Sequence, residues 1–193
     1  MRRLMVLGFM VLPLLFVGCS KGPAETALKA ADEAVAKAAP LAEKFVPDQF
    51  KTLTDAAAAA KASFDKGDYA AALAAAKDLP AKADEILAAA TAKKDELTGV
   101  WNGLAESLPA QVTGLTEKID AITAMRRLPK GIDKAGLEAA KTELGNITSA
   151  WTKATEAFGA GEVPGALEVA NDVKAKVETL AATLEPVVLP AKK

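Results

Sequence analysis

Residues 50–73 read FKTLTDAAAAAKASFDKGDYAAAL, and residues 144–167 read LGNITSAWTKATEAFGAGEVPGAL. In the first stretch Phe50, Leu53, Ala57, Ala60 and Phe64 recur at steps of three and four, the spacing of one apolar helix face. Gly67 then stops that helix, and Asp68 has the side chain to cap another. A shift of 94 residues places Leu53 on Ile147, Ala60 on Ala154, Phe64 on Phe158, Gly67 on Gly161 and Ala72-Leu73 on Ala166-Leu167. Farther on it pairs Ala76 with Ala170, Asp78 with Asp172 and Lys82 with Lys176. Two related helical hairpins are therefore expected, at about residues 47–90 and 141–184.

Working outward, Ala, Lys, Glu and Leu dominate a chain of 193 residues, and these are strong helix formers. The β-branched clusters that mark strands are missing. The expected fold is all-α, a bundle of about six to seven helices in antiparallel hairpins, with its domain spanning 24–185. A first helix runs from Pro23 to Phe45, and Pro47 restarts the chain where proline suits a helix beginning. Pro80 matches Lys174, which lies inside an unbroken stripe of Val173, Val177, Leu180 and Leu184, so a kink rather than a break is expected there. Leu97, Trp101 and Leu104 form one stripe and Val112, Leu115, Ile119 and Ile122 another after Pro109, which predicts a third, unrelated hairpin over 91–128. Arg126 to Asp133 reads as a loop broken by Pro129 and Gly131, with Asp133 capping the next helix. Residues 186–193 read as a tail.

The N-terminus has a separate logic. Met1-Arg2-Arg3 precedes an apolar run from Leu4 to Val17 and then Gly18-Cys19, the order of a charged region, an apolar region and a small residue at an export-signal cleavage site. The run is too short to span a membrane, which takes roughly 20 residues. Phe16-Val17-Gly18-Cys19 resembles the lipobox of bacterial lipoproteins, departing from the usual aliphatic residue at Phe16. The resemblance implies cleavage after residue 18, diacylglycerol on the Cys19 sulfur and an acyl chain on its amine, with 19–23 as a lipidated tether. Several chains anchor stably where one is marginal. Ser20 rather than Asp after the cysteine resembles the outer-membrane sorting pattern, which implies a cell-envelope protein facing the periplasm of a Gram-negative bacterium. An ordinary export signal followed by a stray cysteine is the alternative.

Loss of Arg2 and Arg3 with the signal leaves 22 basic against 25 acidic residues, a net charge of −3. No basic excess is left to bind nucleic acid. The chain contains no histidine, and Cys19 is its only cysteine. Imidazole-dependent triads and zinc sites built on His or Cys are therefore excluded. No cofactor and no catalytic residue are expected. Ser63-Phe64-Asp65-Lys66 matches the S-x-x-K pattern of penicillin-binding proteins, but no S-D-N or K-T-G partner accompanies it, and it reads as a helix end.

The Gly67-Asp68-Tyr69 turn followed by Ala72-Leu73 is similar to the middle of a tetratricopeptide repeat. Both copies lack that family's early Trp and Leu and its closing proline, and Val163 replaces the aromatic in the second copy. The terminal Lys193 resembles the lysine that joins the murein lipoprotein to peptidoglycan, although the strict heptads of that coiled coil are absent. Arg126, Arg127, Lys130 and Lys134 form the densest basic spot. It reads either as cations favoured at a helix C-terminus or as a contact with anionic lipid. Phe64, Tyr69, Trp101, Trp151 and Phe158 are core residues or, alternatively, ligand contacts. The expected function is non-enzymatic: a lipid-anchored helical protein that binds an envelope partner or itself. A carrier of an apolar ligand between helices, a passive spacer and a peptidoglycan-linked structural protein are the rival readings.

Overall fold

The computed structural model describes residues 20–187, and every regular element among them is an α-helix. These are α1 (Lys21–Phe45), α2 (Pro47–Asp65), α3 (Tyr69–Ala76), α4 (Leu79–Thr123), α5 (Lys134–Gly159) and α6 (Val163–Leu184). The all-α bundle follows from the composition. The chain divides into two compact units after Ala90, inside α4. In the first unit α1, α2 and α3 pack against one another, and in the second α5 packs on α6.

The two hairpins are built alike. α2 and α5 end in the same turn: Gly67 at φ 82° and Gly161 at φ 81° follow the helix. Gly67 N–H donates to Phe64 and Asp68 N–H to Ser63; 94 residues on, Gly161 donates to Phe158 and Glu162 to Ala157. Both are two-bond glycine caps that satisfy the last carbonyls of a helix. The Asp68 carboxylate accepts from Ala71 N–H at 3.0 Å and starts α3. The burial pattern repeats too. Leu53, Ala60, Ala72, Ala76, Leu79, Ala83 and Ala90 are buried, and so are Ile147, Ala154, Ala166, Ala170, Val173, Val177 and Leu184.

Three expectations need correction. Pro80 does not merely kink its helix: α3 ends at Ala76, two turn residues follow, and Pro80 takes the second position of α4. Pro80 has no N–H to give Ala76, whereas Lys174 continues α6 without interruption. Lys77 stays in the right-handed helical region, so the buried stripe runs on through the break.

The hairpin expected over 91–128 does not form. Pro109 lies exposed inside an α4 of 45 residues. Its neighbours on either side bury one face, with Trp101, Leu108, Leu115, Ile119 and Ile122 at the spacing shown by Ala24, Ala31, Ala38, Ala42 and Phe45 in α1. A shift of 77 residues superposes the two sets. The second part of α4 is thus the counterpart of α1, and each unit is a three-helix arrangement of the same plan.

Finally, the ordered domain exceeds 24–185 at both ends. α1 reaches back to Lys21, with Pro23 in its first turn, where a missing N–H costs nothing. At the other end Val187 is 3 % exposed. α5 starts at Lys134 with the expected cap, the Asp133 carboxylate accepting from Gly136 N–H at 2.7 Å, so the second hairpin begins before 141.

Candidate functional site

Cys19 and Lys193 lie outside the described residues. Ser20 precedes α1 directly, so the helical domain begins two residues after Cys19. No helix among the described residues is long and apolar enough to cross a membrane.

Arg126, Arg127 and Lys130 lie in the loop between α4 and α5, and Lys134 is the first residue of α5; all four are exposed. α4 has no basic residue in its last turn, and the field of a helix end fades beyond that turn. Lys134 sits at a helix N-terminus, where a cation is disfavoured. Within this loop Gly131 is at φ 98°, and a Cβ there would meet the Pro186 carbonyl oxygen at 3.1 Å. An open cavity of about 510 Å³ is lined by Lys130, Ile132, Asp133 and Thr183.

The aromatic residues fall into two groups. In the second unit Trp101 stacks on Trp151 at 5.4 Å and 7°, and on Phe158 at 4.4 Å and 5°. Trp151 and Phe158 are seven residues apart on α5, roughly 10.5 Å along its axis, which leaves room for one ring between them. Trp101 fills that gap and is 4 % exposed. In the first unit the equivalent of Trp101 is Ala24, so nothing of that size covers Phe64. Phe64 instead meets Tyr69 edge-on at 5.0 Å, and both are half-buried. Lys21 Nζ lies 6.0 Å from the Tyr69 ring centre.

Sequence reasoning missed a pair of grooves. One lies between α5 and α6, about 290 Å³, over Leu180 with Glu143, Lys176 and Thr179 at its sides. The other, also about 290 Å³, lies between α2 and α4 over Ile86 with Gln49, Lys82 and Glu85. The shift of 94 residues carries Gln49, Lys82, Glu85 and Ile86 onto Glu143, Lys176, Thr179 and Leu180. The repeat therefore held the signal: Lys82 and Lys176 are one of its matched pairs, and Leu180 lies on the apolar stripe of α6. A larger open groove of about 720 Å³ runs between Ile119 and Asp120 on α4 and Leu144 and Gly145 on α5. Among the described residues no three acidic or other ligating side chains come together to hold a metal ion.

The fold defines an all-α protein of two related three-helix units with shallow grooves. No protein-family model matches the chain, and no curated protein or solved structure matches it.

Proposed function

We propose that the chain is a membrane-anchored, non-enzymatic lipoprotein of the cell envelope, held by lipid on Cys19, whose helical units bind another envelope component. The observation that carries this reading is the order of the N-terminus: charged Arg2-Arg3, an apolar run, Gly18-Cys19, then a folded helix from Lys21. A histidine-free chain, with its single cysteine acylated, offers no imidazole and no thiolate, which removes the commonest general base and the most reactive nucleophile. The outer membrane facing the periplasm is the location that Ser20 favours.

Mass spectrometry of the N-terminal peptide tests the anchor. A peptide starting at Cys19 and carrying diacylglycerol and an amide-linked acyl chain is expected, and Cys19→Ala should release the protein from membranes. An unmodified cysteine in a soluble protein would refute the anchor. Crosslinking in cells from Glu85 and Thr179, in the two grooves, tests the binding role. A defined envelope protein captured at both positions supports it, and capture of nothing but lipid transfers the proposal to a carrier. The carrier reading has its own support in the apolar floors of the duplicated grooves, Ile86 and Leu180.

A further inference from the structure

The first unit has one end that differs from its counterpart in the second. α1 begins there, α2 ends there in the Gly67 turn, and α3 starts there at Tyr69. The 6.0 Å approach of Lys21 to the Tyr69 ring brings the three together. In the second unit a tryptophan from the first helix closes over Phe158. Here Ala24 takes that place, and Phe64, half-buried like Phe158, meets Tyr69 instead of a tryptophan, beside exposed Lys21 and Lys66.

Resting on the lipid-anchor reading above, we propose that this end of the first unit docks on the headgroup layer of the membrane that holds Cys19. Tether length is the first argument. Two peptide units separate Cys19 from the first residue of α1, a span of about 7 Å at most. An anchored chain therefore cannot lift the start of α1 clear of the headgroups. Because Tyr69 lies next to Lys21, the Gly67 turn enters the same layer. The far end, at Phe45, is about 37 Å along α1.

Side-chain chemistry is the second argument. Tyr and its like settle at the membrane interface, with the ring in the apolar boundary and the hydroxyl in water. Lysines there cover apolar surface with their stems and bring the ammonium to phosphate. Asp65 and Asp68 offset the charge of Lys21 and Lys66, so the aromatic pair and the tether, not net charge, hold this end down. Docking is accordingly expected on zwitterionic as well as anionic bilayers.

The test uses the full-length acylated protein in vesicles of phosphatidylethanolamine and phosphatidylglycerol. A fluorophore sensitive to polarity is placed on Lys66→Cys and, in a separate protein, on Glu43→Cys near the far end of α1. The acylated Cys19 sulfur is a thioether and takes no label. Headgroup spin-labelled lipid should quench the label at 66 severalfold more than the label at 43, with a blue shift at 66 only. Equal weak quenching at both would overturn the proposal, and so would stronger quenching at 43. Adding Tyr69→Ser to Lys66→Cys should lower the quenching; no change would overturn the role given to the aromatic pair. The mass of the N-terminal peptide is read on the same samples. An unacylated Cys19 overturns the anchor and this proposal together, whereas an acylated Cys19 with an unquenched label at 66 overturns docking alone.

Discussion

Gly67 and Gly161 have the same backbone geometry, and nothing lies within 4 Å of the Cβ that each lacks. Substitution by alanine is therefore a pure conformational test. Gly67→Ala and Gly161→Ala should each cost about 1 to 2 kcal/mol, the penalty of the left-handed region for a residue with a Cβ. Gly145→Ala is the opposite case. That glycine is exposed inside α5 with open space around it, so alanine should stabilise by about 0.5 to 1 kcal/mol. Urea unfolding of the three variants checks both signs. Trp101→Ala should cost about 3 to 5 kcal/mol, because it empties the slot between two rings as well as removing buried area. The glycine turns and their partner residues were legible in the sequence, since each sits beside a 94-residue match. The stacking partners of Trp101 were not, because its place between Trp151 and Phe158 depends on how α4 lies against α5.

At the scale of elements, proline had opposite outcomes at two positions. Pro80 divides α3 from α4, while Pro109 stays inside α4. The difference lies in what surrounds each. Lys77 and Asp78 form a turn just before Pro80, whereas Trp101, Leu104, Leu108, Leu115 and Ile119 bury a continuous face on both sides of Pro109. Tertiary burial of an amphipathic face supplies most of a helix's stability and here outweighs one lost hydrogen bond. Pro80→Lys installs the residue that the second unit carries at the equivalent position. It should fuse α3 and α4, and slower amide exchange at residues 77–80 checks this. Hydrophobic stripes showed where helices exist and which face they bury, but the same stripes are compatible with a hairpin or one long helix. That choice was made by the partners of the face.

At the scale of the molecule, the two units share a plan but not a core. Where the first places Ala24, Ala31, Ala38 and Ala42, the second places Trp101, Leu108, Leu115 and Ile119. Burying a Leu or Ile side chain stabilises by about 1.5 to 3 kcal/mol, and alanine contributes far less. Close helix approach recovers some of this through dispersion but not all. The Lys37–Asp84 ion pair, at 3.2 Å between α1 and α4, adds little, being about two-thirds exposed on both sides. Amide exchange measured by mass spectrometry should therefore be faster across α1 and α2 than across α5 and α6. Equal protection in both units would show that alanine packing compensates in full.

What the sequence determined by itself was local and periodic. It specified the helices, the two glycine turns at Gly67 and Gly161, the caps at Asp68 and Asp133, and the related hairpins. Each of these follows from residues within a few positions of one another, or from a direct match between two segments. What the tertiary structure alone decided was which helices are continuous, that the second part of α4 stands in for α1, and where the paired grooves lie. The match between α1 and α4 rests on burial position, not on residue type: alanines in one unit occupy the places of Trp, Leu and Ile in the other. Substitution of that size erases a repeat from the sequence while the helix spacing that produces the fold is kept.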